Sequence, residues 1–276
     1  MTHEPPTPDI LAKEPLPRLL AVMAWLRDRQ HGCPWDIEQT FKTIAPYTIE
    51  EAYEVADAIE RNDMPALKEE LGDLLLQVVY HAQMASEAKA FTFNDVAAAI
   101  ADKMVGRHPH VFGDLEIADA DAQTVSWEAH KAAERTKKAD GQAPPGVLDG
   151  VARTLPALMR AEKIQRRAAR VGFDWKETGP VIDKIEEELG ELRTELAAAE
   201  VDRGRLADEV GDVLFAVANL ARHCRLDPEA ALRATNNKFE RRFRFIERRL
   251  GEQGRKPADA SLAEMEALWQ EAKTAV

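Results

Sequence analysis

Pairs of carboxylates recur in this sequence at a spacing that places them on one face of a helix. Glu188 and Glu191 are three residues apart, and so are Glu209 and Asp212. Residues at this spacing have Cβ atoms about 5–6 Å apart, and a short connection makes consecutive helices antiparallel neighbours. Four carboxylates gathered in this way repel one another by about 3 kcal/mol per contact at about 5 Å and an effective dielectric of about 20. The spacing therefore predicts a bound cation.

The donor atoms indicate which cation this site would hold. Carboxylate oxygens without a neighbouring histidine or thiol favour Mg²⁺ or Mn²⁺ over zinc. One isolated pair of acids is usually a solvated helix face, but the complete pattern occurs twice in this chain. The first half repeats it with four acids, which predict a second metal site: Glu51, Glu54, Glu70 and Asp73.

Basic residues accompany the acids of the second half. Lys184 stands four residues before Glu188, and Arg205 stands four before Glu209, so each shares a helix face with its acid. A base ahead of a glutamate is the weaker orientation for helix support, which favours a polyphosphate partner over simple ion pairing. Three more candidates follow on the next predicted helix: Lys238, Arg241 and Arg242.

The first half lacks the counterparts of the two leading bases. Tyr47 stands four residues before Glu51, and Ala66 stands four before Glu70. We therefore expect metal binding in both halves but stronger catalysis in the second.

Landmarks other than acids also recur in the same order, which indicates a tandem repeat. They pair Leu16-Pro17 with Leu155-Pro156, Gly32-Cys-Pro-Trp35 with Gly172-Phe-Asp-Trp175, and Trp127 with Trp269. A polar segment with Gly141, Pro144 and Pro145 separates the halves and is typical of a linker. The predicted divisions are a flexible arm 1–15, an N-terminal repeat 16–136, a linker 137–153 and a C-terminal repeat 154–276 that carries the main catalytic site.

Each repeat is predicted to be helical. Capping patterns mark helix starts at Thr48, Thr92 and Ser261, Asp227 precedes a proline suited to a first turn, and Gly251 is suited to a helix end. No segment alternates as a strand would. The predicted fold class is all-α, a tandem repeat of four-helix-bundle type completed by dimerisation.

Composition excludes several classes of protein. The net charge of −12, from 49 acids against 37 bases, argues against nonspecific nucleic-acid binding. The N-terminus has no signal-peptide pattern, and the longest apolar stretch is too short to span a bilayer. The two cysteines, without CxxC spacing, predict reduced thiols in a cytoplasmic protein.

Taken together, three features resemble the MazG family of nucleoside triphosphate pyrophosphohydrolases. They are Gly32-Cys-Pro-Trp-Asp-x-Glu-Gln-Thr40, the doubled acidic pattern, and Lys238-Phe-Glu-Arg-Arg-Phe243. The resemblance implies a dimeric all-α enzyme that uses Mg²⁺, with Mn²⁺ a possible substitute. It would convert NTPs or dNTPs to the monophosphate and pyrophosphate with broad specificity, by attack of metal-activated water on the α-phosphorus, as nucleotide-pool housekeeping.

The resemblance also assigns roles to matching positions. Metal ligands would be Glu188, Glu191, Glu209 and Asp212. Residues facing the nucleotide would be Lys184, Arg205, Asp208, Lys238, Arg241, Arg242 and Trp269. Glu187 would orient or deprotonate the attacking water, and Lys238 and Arg242 would stabilise charge on the leaving group.

Three alternatives remain. A narrow enzyme of the same superfamily would act on dUTP, dCTP or phosphoribosyl-ATP. A di-iron carboxylate bundle would need Glu-x-x-His on its helices, and no glutamate stands three residues before any of the seven histidines. A noncatalytic helical interaction module would show no metal-dependent turnover.

Overall fold

The computed structural model describes residues 13–113, 119 and 146–275. The chain divides into two compact units, 1–134 and 135–276. The described residues form helices and no strand, as the sequence predicts. Trp127, most of the N-terminal arm and linker residues 137–145 lie outside the described residues, so the domain boundaries stay predictions.

The first unit is built on an antiparallel helix pair. Its described helices are α1 (Pro15–Leu26), α2 (Pro34–Glu38), α3 (Phe41–Glu60), α4 (Met64–Glu87), α5 (Phe93–Arg107) and α6 (Pro109–Phe112). The longest two, α3 and α4, pack along each other, and α1 and α5 pack on α4. Their shared core contains five buried side chains: Met23, Ile44, Val79, Tyr80 and Met84.

The second unit repeats this arrangement. Its described helices are α7 (Ala157–Arg170), α8 (Gly179–Leu196), α9 (Arg203–His223), α10 (Pro228–Gly251) and α11 (Leu262–Ala275), with a 3₁₀ turn at Pro257–Asp259. The α8–α9 pair corresponds to α3–α4, and α7 packs on both α9 and α10. A smaller core joins α10 to α11 through Ile246, Leu250 and Leu268.

Most of the predicted helix signals are confirmed. Thr92 forms a capping box with Asp95, Ser261 Oγ accepts the Glu264 N–H, and Asp227 caps α10, which ends at Gly251. The predicted start at Thr48 is wrong, because α3 begins after Thr40. The backbone N–H of Thr43 donates to Thr40 Oγ1 at 3.3 Å, whereas Thr48 lies inside the helix.

No helix among the described residues combines the length and apolar character needed to cross a membrane.

Candidate active site

Three carboxylates of the second unit meet where α8 packs against α9. Glu188 comes from α8, and Glu209 and Asp212 come from α9. Each offers an oxygen, and these oxygens lie within 4.8 Å of one another. We call Glu188, Glu209 and Asp212 the α8–α9 cluster. Antiparallel packing thus brings together acids that the sequence separates by a helical hairpin.

Glu209 shows the electrostatic cost of this arrangement. Partial burial raises its pKa above the usual glutamate value, and the negative charges of Glu191, Asp212 and Glu188 raise it further. Its buried Oε2 atom has no hydrogen-bond partner among the described residues. A buried carboxylate oxygen without a donor is costly, and a hard cation supplies the missing partner. The cluster therefore fits a divalent metal ion.

Glu191, the fourth predicted ligand, stands apart from this compact group. Its side chain is exposed on α8, and the group of mutually close oxygens does not include it. It is nevertheless the neighbouring charge with the largest effect on Glu209. Glu191 therefore lies at the edge of the cluster, and its role as a ligand stays a prediction.

Lys184 is the base that the structure places at the cluster. Its Nζ lies 2.8 Å from Glu188 Oε1 and 2.7 Å from Glu187 Oε1. These two carboxylates hold the pKa of Lys184 well above its usual value. The lysine is thus charged and partly neutralises these two acids.

Arg205 has a different contact. Its guanidinium donates to Glu195 Oε1 at 2.6 Å, which links the start of α9 to the end of α8. The spacing placed Arg205 on the face of Glu209 but gave no sign of Glu195, which comes from the neighbouring helix. Asp208 lies one residue before Glu209 and is exposed.

The residues predicted on α10 are less clearly connected to the acids. Lys238 and Arg241 are exposed. The Arg242 guanidinium lies 5.5 Å from the centre of the Trp269 ring, and Trp269 packs on Phe239 beside the α10–α11 core. Among the described residues, then, Arg242 contacts Trp269 rather than the cluster. The nucleotide contacts predicted for α10 and Trp269 stay predictions.

A cavity of about 580 Å³ adjoins the α8–α9 cluster. Its wall includes Lys184, Glu188 and Asp212. Elsewhere the wall is largely apolar and aromatic, with Phe173, Trp175 and Phe215 among its residues. Sites for small organic ligands usually combine such an apolar wall with a few fixed polar groups.

An ion-pair network holds the loop that forms part of this wall. Asp174 accepts from Arg222 Nη1 at 2.9 Å, and its Oδ1 lies 3.0 Å from His223 Nε2. Partial burial would raise the pKa of Asp174, but the Arg222 and His223 contacts outweigh it and hold that pKa below its usual value. Asp174 therefore ties the loop between α7 and α8 to the end of α9.

The first unit carries the equivalent cluster. Oxygens of Glu51, Glu70 and Asp73 lie within 4.8 Å of one another. Partial burial raises the pKa of Glu51, with Asp73 as the strongest charged neighbour, and burial together with Glu54 raises that of Glu70. Exposed Glu54 again lies beside the group rather than in it. The two units thus share the same acidic geometry.

Sequence reasoning missed the cavity and its polar residues. The segment Gly172-Phe-Asp-Trp175 served only as a repeat landmark, and its contact with Arg222 depends on how the loop returns to α9. Gln165, buried on the wall, is one polar residue in a strongly basic helix. Its spacing to other residues gives no signal that would distinguish it.

Comparison with known proteins agrees with this geometry. The family described as MazG nucleotide pyrophosphohydrolase domain matches the chain twice, at residues 39–112 and 176–244. A protein of Escherichia coli K12 named nucleoside triphosphate pyrophosphohydrolase is 53% identical over 256 residues, which are 93% of this chain and 96% of that protein. A Thermotoga maritima protein named nucleoside triphosphate pyrophosphohydrolase/pyrophosphatase MazG is 40% identical over 92% of this chain and 94% of its own length.

A third relative, which matches a smaller part of this chain, is also named a nucleoside triphosphate pyrophosphohydrolase. The nucleoside triphosphate pyrophosphohydrolase of Mycobacterium tuberculosis is 39% identical over 158 residues, 56% of this chain and 46% of that protein. The family matches fall on both units, and each contains its acidic cluster. The chain therefore belongs to the MazG family of nucleotide pyrophosphohydrolases.

Proposed function

We propose that this protein hydrolyses nucleoside triphosphates to nucleoside monophosphates and pyrophosphate, with Mg²⁺ and with broad base and sugar specificity. The single observation that carries the proposal is the α8–α9 cluster, with Lys184 beside it, on the wall of a largely apolar cavity. The relatives' names support the reaction class. We further propose that it serves housekeeping of the nucleotide pool, a role that broad specificity would suit, and that it does so in the cytoplasm, where its two free cysteines would stay reduced.

The cluster would hold the metal ion. Glu188, Glu209 and Asp212 supply hard oxygens, and the unpartnered Oε2 of Glu209 is an atom that a cation would satisfy. Oxygen ligands favour Mg²⁺, with Mn²⁺ as a substitute. When bound, the ion neutralises phosphate charge and makes water more acidic. Glu191 would complete the ligand set from the edge of the cluster.

The side chains around the cluster position the substrate. Lys184 would exchange its contacts with Glu187 and Glu188 for phosphate oxygens of the incoming triphosphate. Water attacks the α-phosphorus, the bond to the α–β bridging oxygen breaks, and pyrophosphate leaves with the electron pair of that bond. Glu187, once released from Lys184, would accept the proton of the water. Arg205, Lys238 and Arg242 would offset charge that develops on the leaving group.

A product assay tests this reaction. Each of the common NTPs and dNTPs is incubated with Mg²⁺, and the nucleotides and phosphates are resolved chromatographically. We expect monophosphate and pyrophosphate from several bases. Primary release of diphosphate and orthophosphate would refute the reaction, and cleavage of only one base would refute broad specificity.

Metal removal is a separate test. EDTA should abolish turnover, because the α8–α9 cluster without a cation repels an anionic substrate, and Mg²⁺ or Mn²⁺ should restore it. Full activity of a metal-free sample would contradict the assignment of the cluster as a metal site.

We propose that the first unit binds metal at Glu51, Glu70 and Asp73, with Glu54 beside them, but contributes less to catalysis. The acids are arranged as in the second unit. However, Tyr47 and Ala66 stand where the second unit has Lys184 and Arg205. A site without these cations would hold a polyphosphate less tightly.

We also propose that the protein is a homodimer. Val210, Leu214 and Val217 form an exposed apolar stripe along α9 at the spacing of one helix face. On α4, Leu71, Leu75 and Val78 form the same stripe. Stripes of this kind are typical of helix–helix interfaces, and another subunit would bury them.

A further inference from the structure

Gln77 is a buried amide beside the acids of the first unit. It is only 7% exposed, and its Nε2 donates to Glu51 Oε1 at 3.4 Å. Its Oε1 is buried and accepts no hydrogen bond within the described part of the chain. A buried acceptor left unpaired costs free energy. We call Glu51, Glu70 and Asp73 the α3–α4 cluster, and Gln77 thus places one unsatisfied acceptor next to it.

A hydrated cation at the α3–α4 cluster would satisfy both ends of this amide. Rotation of the amide by half a turn would bring Oε1 against Glu51, where two acceptors would meet. The contact with Glu51 therefore directs Nε2 toward the carboxylate and leaves Oε1 in need of an O–H or N–H donor. Magnesium bound by carboxylates usually keeps several water molecules, each of which can donate. Gln77 can thus orient Glu51 and accept from a water of the ion's hydration shell.

The second unit lacks this amide. Gln77 lies seven residues after Glu70, and the residue seven after Glu209 is Ala216. Ala216 is buried and has no polar side-chain atom. Groups that hydrogen-bond to metal ligands orient them and strengthen metal binding. Only the first of the two clusters therefore has a buried amide in this supporting position.

The second unit instead has a base that competes with a metal ion. Lys184 Nζ lies 2.8 Å from Glu188 Oε1, and Glu188 is the ligand that α8 contributes to the cluster. A cation that binds there must displace the ammonium group or share the carboxylate with it. The lysine therefore weakens metal binding as long as it stays on Glu188.

The α3–α4 cluster has no such competitor. Among the described residues, no lysine or arginine forms an ion pair with its three acids. Arg61, whose charge still influences Glu70, pairs with Asp57 and Asp63 instead. The negative charge of this cluster is thus fully available to a cation.

The residue at the position of Lys184 makes a different contact in the first unit. It is Tyr47, and its ring packs edge-on against Trp35 with the ring centres 6.4 Å apart. A phenol in this position brings no positive charge that would compete for Glu51.

We propose that the first unit holds the more tightly bound divalent cation of the nucleotide-free protein, and that Gln77 is the positioning residue of this site. The inference rests on the proposed function, which supplies the identity of the ion, and extends it to the division of metal affinity between the units. Glu51 comes from α3, whereas Glu70 and Asp73 come from α4. The ion therefore joins the two helices of the hairpin and stabilises the first unit.

Manganese titration of the full-length protein tests the order of the two sites. The protein is stripped with EDTA and dialysed, and the electron paramagnetic resonance signal of free Mn²⁺ gives the bound fraction. We expect two sites per chain that differ in affinity by at least about 10-fold. Glu70→Gln should remove the tighter site, and Glu209→Gln should remove the weaker one.

Two further variants test the cause of the difference. Gln77→Met should weaken the tighter site about 10- to 100-fold, as is usual when a group that orients a metal ligand is lost. The weaker site should not change. Gln83→Met is the matched control on α4, because Gln83 pairs with Glu87 away from the cluster, and it should leave both sites unchanged. Lys184→Met should tighten the weaker site.

Thermal unfolding gives a second readout that needs no turnover. At a Mn²⁺ concentration that fills only the tighter site, the unfolding temperature should rise in wild type and in Glu209→Gln. It should not rise in Glu70→Gln. Each comparison is made between the same variant with and without Mn²⁺, so that a change in the stability of the metal-free protein does not enter.

The outcomes separate this inference from the proposed reaction. Loss of the tighter site in Glu209→Gln, or two sites of equal affinity, would overturn the inference even if triphosphates are cleaved. An unchanged tighter site in Gln77→Met would overturn the role of Gln77. The expected order of sites in a protein that cleaves no triphosphate would support the inference while the reaction fails.

Discussion

Glu209 is partly buried and lies near other negatively charged side chains. Its described neighbours do not compensate for the cost of burying this charge. Its Oε2 has no donor among the described residues, and partial burial together with four neighbouring acids raises its pKa. Lys184 pairs with Glu187 and Glu188 rather than with Glu209. Glu209 is therefore the residue whose properties depend most on a bound cation.

Glu209→Gln should reduce turnover at least about 100-fold, the usual effect of removing one preorganised electrostatic group. Glu70→Gln is the matched change in the first unit, and it should cost much less because that unit lacks the bases. Steady-state kinetics with one good substrate compare the two. If Glu70→Gln were inactive and Glu209→Gln near normal, the first unit would be the working site.

The same substitution should stabilise the metal-free protein. A raised carboxylate pKa in the folded state contributes stability below the unfolded pKa, and this contribution is lost as the pH rises through the folded pKa. At about pH 8 Glu209 is charged, so Glu209→Gln relieves repulsion and should unfold at a higher temperature than wild type in EDTA. The difference should shrink toward about pH 4.

In Mg²⁺ the wild type should unfold at the higher temperature, because only the wild type keeps the Glu209 carboxylate as a metal ligand. Calorimetry in EDTA and in Mg²⁺ measures both effects. A variant less stable than wild type in EDTA at about pH 8 would contradict a repulsive, cation-requiring cluster.

At the scale of elements, hydrogen bonds and ion pairs in each unit join the segment after the first helix to the long helical hairpin of the same unit. In the first unit Tyr80 of α4 donates to Asp36 Oδ1 at 3.0 Å. Arg27 donates to the Asp36 carbonyl at 2.5 Å and pairs with Glu87. In the second unit Asp174 and Arg222 make the corresponding connection. Each repeat thus uses an aspartate near its tryptophan to fix this loop.

Arg27→Met should destabilise the first unit by about 2 kcal/mol, because it removes a charged donor that is almost completely buried. The control is Arg61→Met, which breaks exposed ion pairs with Asp57 and Asp63 and should cost less than about 1 kcal/mol. Hydrogen exchange of the α4 amides reports the stability of this unit. Equal effects of the two changes would show that Arg27 is not an anchor.

The sequence alone predicted the helices and the acidic residues, but it did not predict the contacts between side chains of neighbouring helices. The spacing of Glu188, Glu209 and Asp212 was enough to predict the acidic site, because helical periodicity determines which side chains share a helix face. The Arg205–Glu195 pair depends on how α8 and α9 align in the hairpin, which spacing within one helix does not determine. Thr40 was missed as a cap because its partner at the third helical position is Thr43 rather than an acid.

At the scale of the whole molecule, the apolar stripes on α4 and α9 predict association. Light scattering should give about twice the chain mass of 30.8 kDa. Leu214→Glu, in the middle of the α9 stripe, should shift the protein toward the monomer. Leu262→Glu alters an exposed leucine outside both stripes and should leave the mass unchanged. A wild-type mass of one chain across micromolar concentrations would contradict the dimer.

The central claim is that water attacks the α-phosphorus of the substrate. Transfer of an oxygen isotope from water to the products tests it directly. Hydrolysis of ATP in water enriched in ¹⁸O, followed by mass spectrometry of both products, locates the new oxygen. Attack at the α-phosphorus, as we propose, places one ¹⁸O in AMP and none in pyrophosphate at the moment of cleavage. Label in pyrophosphate, with AMP unlabelled, would mean attack at the β-phosphorus and would contradict the account.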